Sequence, residues 1–192
     1  HDEGFGTEYN LPNESAYCET CSAIALMYWN QSMASLTGDS KFADLFEITL
    51  YNGGISGGSA RGDRFFYTNP LEGKPGQDRR PWYEPGCCPS NFVRFIPMLD
   101  QYIYGQSDDA IIVNQFIGSV LSTELGGNNL KLIQNTEYPW KDRVELSIES
   151  ESKQKFALKV RLPGWVQGRF MPGGLYEYLE ASSNDPYVVE LN

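Results

Sequence analysis

The sequence predicts a mainly helical part up to about residue 105, followed by an antiparallel β-sandwich. In the first part, apolar side chains recur every three to four residues, which is typical of the buried face of a helix. From Tyr102 onward they recur every second residue, between turns rich in Gly, Asn and Asp, which is typical of strands. We therefore predict two partial domains, one over residues 1–105 and one over residues 106–192.

Two helices are predicted near the start of the chain. The first covers residues 16–36, after possible capping residues at 13–15, and Gly38 ends it. Asp39 caps the second helix, whose apolar residues follow a helical period until Gly53-Gly54 ends it. The short link between these helices predicts an antiparallel helical pair.

A change of composition follows the second helix. Residues 64–68 are predicted to form a short strand, as half of a hairpin, and residues 72–85 a loop rich in Gly, Pro and charged residues. A third helix is predicted to begin at Cys88-Pro89, because proline is tolerated in the first helical turn, and Pro97 is expected to bend or shorten it. Alternating apolar residues then predict strands at 110–116, 119–125, 128–135, 143–149 and 155–162.

Charge and hydropathy exclude several kinds of partner. The 192 residues carry a formal net charge of −10, so the average surface would repel nucleic acids and anionic membranes. No apolar run approaches the roughly 18–20 residues that a membrane span needs. We therefore predict neither a nucleic-acid nor a membrane partner. The chain begins at His1 and both ends look cut, so we expect an internal piece of a longer protein, whose compartment the sequence leaves open.

The four cysteines fall into two tight clusters. Cys18 and Cys21 lie in the segment YCETC, and Cys87 and Cys88 lie in GCCPSN. Isolated structural thiols rarely group in this way, so the pattern predicts a metal site, a redox site or a thiolate that a metal makes reactive. Buried free thiols, or a disulfide within either cluster, are the alternatives.

Spacing alone favours a zinc site made of all four cysteines. Cys18 and Cys21 would share one face of a helix, and zinc favours tetrahedral sets of thiolates or of thiolates with carboxylates. A closed site of that kind would be structural. The Cys87-Cys88 pair also precedes a helix N-terminus, where the helix dipole and a metal would both lower the pKa of a thiol and favour a nucleophilic thiolate.

Short motifs are distributed along nearly the whole chain. They are EGFG at 3–6, YNLPN at 9–13, AYCETC at 16–21, TLYNG at 49–53, FFYTNPL at 65–71, CCPSN at 87–91 and LPGW at 162–165. In this order they resemble glycoside hydrolase family 127 and its close relative, family 146, the β-L-arabinofuranosidases. The joint occurrence of E-T-C, C-C-P-x-N and L-P-G-W is quite specific.

The resemblance implies an (α/α)6-barrel catalytic domain followed by β-sandwich domains. Residues 1–105 would then be the later part of the barrel, and residues 106–192 the start of a sandwich. Family members are considerably longer, so the earlier barrel helices would lie outside this chain.

The resemblance also implies a retaining glycosidase that releases β-L-arabinofuranose from plant-type glycans. A thiolate, by position Cys87, would attack the anomeric carbon and form a thioglycosyl-enzyme. Zinc would be held by Glu19, Cys21, Cys87 and Cys88. The family's acid/base glutamate lies sixteen residues before the zinc-binding glutamate, which here is Glu3. A raised pKa would suit that role, because the acid must be protonated in the resting enzyme.

Two further residues match the family, and one ligand is in dispute. Glu47 and Tyr67 match family positions that line the sugar pocket. The spacing favours Cys18 as a zinc ligand, whereas the resemblance implies Glu19. We follow the resemblance and expect the backbone at Glu19-Thr20-Cys21 to depart from a regular helix, leaving Cys18 as a neighbouring buried thiol.

Two alternatives of other classes remain open on the sequence. One is a structural zinc domain or an inactive carbohydrate-binding relative. The other is a thiol redox protein, with a reversible disulfide at Cys18–Cys21 or at Cys87–Cys88.

Overall fold

The computed structural model describes residues 4, 6–8, 10, 12–169, 171, 179 and 187–191. Contacts divide the chain into two compact units that do not separate at a single point. Unit 1 comprises His1–Ser32 and Phe46–Leu99, and unit 2 comprises Met33–Leu45 and Asp100–Asn192. None of the described helices is both long enough and apolar enough to cross a membrane.

Two consecutive helices form the first described secondary structure. Helix α1 spans Thr20–Thr37 and therefore begins four residues later than predicted. Gly38 ends it in a left-handed conformation with φ of 68°, and the Asp39 carboxylate accepts a hydrogen bond from the Lys41 backbone N–H at 3.0 Å. Helix α2 spans Ser40–Thr49. The predicted stop and cap between the helices are both confirmed.

The prediction that Gly53-Gly54 ends α2 is wrong. The chain continues without a break through a π-helical turn, Leu50–Gly54, and a 3-10 turn, Ile55–Gly57. The glycines permit close packing here, because a Cβ atom on Gly54 would lie only 2.8 Å from the Cε atom of Met27. A signal that we interpreted as a helix stop is in fact a point of close approach to α1.

The segment after these turns contains isolated bridges and not the predicted strand at 64–68. Phe65 pairs with both Gly58 and Arg80, and Thr68 pairs with Glu19. Three separate partners on different parts of the chain replace one hairpin partner, so no continuous ladder forms over these residues. The aromatic ring of Phe65 packs edge-on against Phe92, with ring centroids 5.8 Å apart.

Helix α3 spans Cys87–Phe95 and continues as a 3-10 helix, Ile96–Tyr102. It begins one residue before the predicted start, and the change of helix type occurs next to Pro97, where a bend was expected. The core of unit 1 forms where α3 meets the earlier helices. Phe95 is fully buried against Tyr28 and Phe46, with ring centroids 5.8 and 6.3 Å apart.

Unit 2 contains two three-stranded sheets, with strand orders β1-β2-β6 and β3-β4-β5. The second sheet is antiparallel, as predicted, but β6 pairs with β2 in parallel. A parallel partner needs a long crossover, and the whole β3-β4-β5 sheet lies between β2 and β6 in the chain. The strands are β1 (Tyr104–Gln106), β2 (Ala110–Val113), β3 (Ser119–Leu125), β4 (Asn128–Thr136), β5 (Val144–Ser150) and β6 (Ala157–Val160).

The strands of both sheets contribute to one hydrophobic core in unit 2. Residues from β2, β3 and β4 are buried together, with Phe116 from the connection between β2 and β3. Their alternation along each strand explains why the sequence located these strands well. The buried members of the core are Ile111, Val113, Phe116, Leu125, Leu130 and Leu132.

A buried ion pair fixes the segment after β6 within unit 2. The Arg161 guanidinium donates to the Asp44 carboxylate at 2.6 Å, and both side chains are largely inaccessible to solvent. The second carboxylate oxygen of Asp44 accepts the Gly164 backbone N–H at 3.1 Å, and Arg161 also donates to the Asn114 carbonyl at 2.6 Å. The pair is therefore hydrogen-bonded on several sides, as a buried pair must be.

Replacing one partner of this pair should destabilise the protein strongly. We expect Asp44→Ala to lower the free energy of unfolding by about 3–5 kcal/mol, because Arg161 would keep an unpaired buried charge. The exposed pair Lys131–Glu149 is the matched control, and Glu149→Ala should cost about 1 kcal/mol or less. Urea-induced unfolding measures both values, and equal losses for the two variants would contradict this assignment.

Candidate metal centre

Four potential metal ligands converge within unit 1. One ligand atom from each of Glu19, Cys21, Cys87 and Cys88 lies within 4.8 Å of every other. Glu19 immediately precedes α1, Cys21 is in its first turn, and the two adjacent cysteines begin α3. Glu19 and Cys88 are buried, whereas Cys21 and Cys87 are half-buried. The structure therefore brings together the four residues that the family resemblance names, and this group can hold a metal ion.

The ligand atoms are close enough to contact one another directly. The Sγ atoms of Cys21 and Cys88 are 3.2 Å apart, and those of Cys87 and Cys88 are 3.9 Å apart. The Glu19 Oε1 atom lies 3.6 Å from the Cys88 sulfur and 4.0 Å from the Cys87 sulfur. All four cysteines of the chain are free thiols, so neither disulfide weighed from the sequence is formed.

Glu19 reaches the group because it lies outside the helix. It forms an antiparallel bridge with Thr68, and α1 begins only at the next residue, Thr20. The expected departure from a regular helix is therefore confirmed at Glu19 but is wrong for Thr20 and Cys21, which form the first turn of α1. Cys18 is half-buried and is not among the four clustered residues. The four-cysteine set that spacing alone favours is thus not the set that the structure assembles.

Three residues hold the Glu19 segment against the chain at 66–69, and we call Thr20, Phe66 and Asn69 the clasp. The buried Thr20 hydroxyl donates to the Phe66 carbonyl at 2.8 Å and accepts from the Asn69 amide at 2.9 Å. The Asn69 backbone N–H also donates to the Cys18 carbonyl at 2.7 Å. A Cβ atom on Gly57 would lie 2.6 Å from Thr20, so a glycine there leaves room for the clasp.

Two of the clustered thiols, Cys21 and Cys88, resist ionisation in the absence of a cation. Burial raises the pKa of Cys21 and of Cys88 above the ordinary value of about 8.5. The amide of Asn91 acts in the opposite direction on Cys21, because its Nδ2 atom donates to the Cys21 sulfur at 3.3 Å. Placing a cation among these groups would remove the cost of charging them.

Tyr67 lies beside the group. Its hydroxyl is 3.6 Å from the Cys87 sulfur, and this hydrogen bond is the largest cause of a raised pKa for the phenol. Its backbone carbonyl is 3.7 Å from the Cys88 sulfur, and its ring packs against Tyr83 with centroids 5.8 Å apart. Tyr67 is therefore in position to contact a molecule that approaches Cys87.

The other two predicted site residues are not part of the four-residue group. Glu47 is a buried residue of α2, with 4% of its surface exposed, and it is not one of the clustered ligands. Glu3, the proposed acid/base, lies outside the described residues. Neither Asn91 nor the clasp was assigned a role from the sequence. Asn91 follows Cys87 by one helical turn, and that spacing could have indicated it.

Comparison with known proteins identifies the family. The profile of the "Beta-L-arabinofuranosidase, GH127 catalytic domain" matches residues 1–101, and the profile of the GH127 middle domain matches residues 110–184. A non-reducing end β-L-arabinofuranosidase of Bifidobacterium longum subsp. longum is 33% identical, over 88% of this chain and 28% of that protein.

Solved structures give the same result. A GH127 β-arabinofuranosidase is 44% identical with a TM-score of 0.89, over 93% of this chain and 28% of its own. A GH127 β-L-arabinofuranosidase from Geobacillus stearothermophilus T6 is 42% identical with a TM-score of 0.80, over 84% of this chain and 27% of its own. The chain thus spans somewhat more than a quarter of the length of these relatives. Because the two family profiles match most of its residues, the chain belongs to the GH127 β-L-arabinofuranosidase family.

Proposed function

We propose that this chain carries the reactive centre of a retaining glycoside hydrolase that releases β-L-arabinofuranose from plant-type glycans. One observation carries the proposal: Glu19 and three cysteines converge in a member of a family whose named relatives are β-L-arabinofuranosidases. A retaining enzyme needs a nucleophile on one side of the anomeric carbon and an acid that later acts as a base on the other.

The donor set fits zinc. Zinc binds thiolates and carboxylates with tetrahedral geometry, and bonds of about 2.3 Å place the ligand atoms roughly 3.8 Å apart. Four separations measured within the group run from 3.2 to 4.0 Å and bracket that value. Glu19, Cys21, Cys87 and Cys88 would hold the ion. Bound zinc would supply positive charge that keeps its cysteine ligands in the thiolate form at neutral pH.

Cys87 is the proposed nucleophile because its sulfur is more accessible than that of its neighbour. It is half-buried, whereas Cys88 is fully buried and would remain a permanent ligand. The Cys87 sulfur would form a bond to the anomeric carbon while the bond to the leaving oxygen breaks. Glu3 would protonate that oxygen and then remove a proton from the water that releases arabinose, restoring the thiolate.

Glu47 and Tyr67 are proposed to bind the sugar. The position of the Tyr67 hydroxyl, 3.6 Å from the Cys87 sulfur, supports this role, since a hydroxyl there would meet a sugar bound at Cys87. Glu47, whose side chain is buried on α2, is proposed from its match to a family position that lines the sugar pocket.

We also propose that residues 1–105 are the later part of an (α/α)6 barrel and residues 106–192 the start of a β-sandwich. Three α-helices before residue 105 and two sheets with a shared core after it support this division. The catalytic-domain and middle-domain matches, over residues 1–101 and 110–184, support it further.

A structural metal site, in a relative without activity, is the second candidate. The deep burial of Glu19 and Cys88 favours it, because structural zinc sites are closed to solvent. The two candidates differ in what they require of Cys87: only the enzyme needs its sulfur to react with a sugar.

Replacing the proposed nucleophile should abolish turnover of an aryl β-L-arabinofuranoside. We expect Cys87→Ser to lower kcat by roughly 10⁴-fold or more, because a hydroxyl is a far weaker nucleophile than a metal-bound thiolate. The assay should use both this chain and the full-length protein. Intact-mass analysis after treatment with an arabinofuranose-derived covalent inhibitor should show an adduct that the variant lacks.

The matched control for this substitution is Cys18→Ser. Cys18 is a half-buried thiol outside the four-residue group, so this variant should keep both its metal and its activity. Full activity in Cys87→Ser would refute the nucleophile. An inactive full-length protein that binds zinc would favour the structural alternative.

Metal binding should strengthen with pH while the metal-free fold weakens. Because burial raises the pKa of Cys21 and Cys88, the unfolded chain releases their protons first as pH rises above about 8.5. The metal-free protein therefore loses stability above that pH. Zinc binding releases the same protons, so its affinity rises with pH. The gap between the melting temperatures of zinc-loaded and chelator-treated protein should widen from roughly pH 6 to pH 9. A gap independent of pH would contradict thiolate ligation.

A further inference from the structure

We infer that Asn91 is a positioning residue that fixes Cys21 as a permanent, unreactive thiolate ligand and so leaves Cys87 as the sulfur that reacts. The inference rests on the proposed function, since it concerns how that centre distinguishes its three sulfurs. It assigns a role to a residue that neither the spacing of the cysteines nor the four-ligand set includes.

The geometry places the Asn91 amide directly against one ligand. Asn91 lies on α3, four residues after Cys87, so its side chain shares the helix face that carries the first cysteine. Its Nδ2 atom is 3.3 Å from the sulfur of Cys21, which belongs to the first turn of α1. One amide therefore links the two helix starts that supply three of the four ligands.

The three sulfurs have different neighbours. Cys21 accepts the amide hydrogen bond from Asn91, whereas the Cys87 sulfur has the Tyr67 hydroxyl at 3.6 Å. The Cys88 sulfur contacts the Cys21 sulfur, the Glu19 carboxylate, the Tyr67 carbonyl and the Cys87 sulfur, and it accepts a hydrogen bond from the Cys21 backbone N–H. Among the described contacts of these sulfurs, the side-chain amide of Asn91 is directed to Cys21.

An amide donor has a defined effect on a thiolate. An ionised sulfur carries no proton, so it can accept hydrogen bonds but cannot donate them. The Asn91 N–H therefore stabilises the thiolate form of Cys21, and this N–H is not available to donate to a bound substrate. A hydrogen bond to the anion withdraws charge from the sulfur, which makes it a poorer nucleophile. Groups that contact metal ligands in this way commonly contribute 10–100-fold to metal affinity.

Cys87 lacks this restraint. Its half-buried sulfur has the Tyr67 hydroxyl at 3.6 Å and no amide donor among its described contacts, so with zinc bound its thiolate would retain more charge than that of Cys21 and would be the sulfur free to bond to carbon. Cys88 is buried and Cys21 accepts a hydrogen bond from Asn91. Of the three sulfurs, Cys87 is therefore the half-buried one that has no amide donor among its described contacts. Asn91 thus acts through Cys21 and not on the substrate.

Two substitutions test this on the zinc-loaded chain. Asn91→Leu has a similar volume without a donor, and Asn91→Asp keeps the shape but opposes the thiolate with a carboxylate. In chelator competition, we expect the zinc Kd to rise by about 10–100-fold in Asn91→Leu and by more in Asn91→Asp. Asn52→Leu is the matched control, because the Asn52 amide donates to the Ile48 carbonyl, four residues earlier in the chain, and Asn52 is not one of the clustered residues.

A second readout reports on the sulfurs themselves. Limited alkylation by iodoacetamide, mapped by mass spectrometry, should modify Cys87 first in the zinc-loaded wild type. In Asn91→Leu the rate of modification at Cys21 should rise while that at Cys87 stays the same. In the cobalt(II)-substituted protein, the thiolate-to-metal charge-transfer band should move to longer wavelength in Asn91→Leu, because the sulfur donates more strongly.

Unchanged zinc affinity together with unchanged labelling of Cys21 in Asn91→Leu would overturn the inference. If circular dichroism shows that Asn91→Leu does not fold, the isosteric Asn91→Asp decides alone: weakened zinc binding supports the role, and wild-type binding overturns it. None of these measurements uses a sugar. A failure of the glycosidase proposal would appear only in the turnover assay and would leave them unaffected.

Discussion

The structure depends on one electrostatic constraint: a carboxylate and three thiols share a space in which each ligand atom is within 4.8 Å of the others. Four negative groups at that distance, two of them buried, cannot all be ionised unless a cation lies among them. Burial raises the pKa of Cys21 and of Cys88, so these two thiols keep their protons when no cation is present. A zinc ion would reverse that preference and produce a reactive thiolate at neutral pH.

The course of the backbone, more than the packing of side chains, brings the four ligand residues together. Two helix starts, at Thr20 and at Cys87, supply three sulfurs, although the residues are separated by more than sixty positions in the chain. The carboxylate comes from Glu19, an extended residue paired with Thr68. The clasp of Thr20, Phe66 and Asn69 holds the backbone where the bridge at Glu19 ends and α1 begins. The clasp fits only because residue 57 is a glycine, since a Cβ atom there would clash with Thr20. Loss of the clasp would therefore displace Glu19 even in a protein that keeps all four ligand residues.

The sequence predicted local features well where they depend on neighbouring residues. Strand β3, Ser119–Leu125, has the predicted bounds, because apolar alternation and flanking turns define it locally. The cap at Asp39 is equally local. Features that depend on distant partners were not predictable: the glycines at 53–54 indicated a stop but serve close packing, and β6 pairs in parallel with β2. At the site, spacing alone favoured Cys18, and only the family resemblance selected Glu19. The clasp residues lie within the family motifs at 16–21 and 65–71, but no local pattern indicated their contacts. The catalytic roles of Cys87 and Glu3 and the sugar-binding roles of Glu47 and Tyr67 stay predictions.

The central claim is that Glu19, Cys21, Cys87 and Cys88 form one metal centre that excludes Cys18. X-ray absorption at the zinc edge, on protein loaded with one equivalent of zinc, tests it most directly. The account predicts one tightly bound ion with three sulfur ligands near 2.3 Å and one oxygen ligand near 2.0–2.2 Å. Replacing Glu19 with alanine should remove the short oxygen shell, and Cys18→Ser should leave the spectrum unchanged. Four sulfur ligands in the wild type, with one lost in Cys18→Ser, would contradict it.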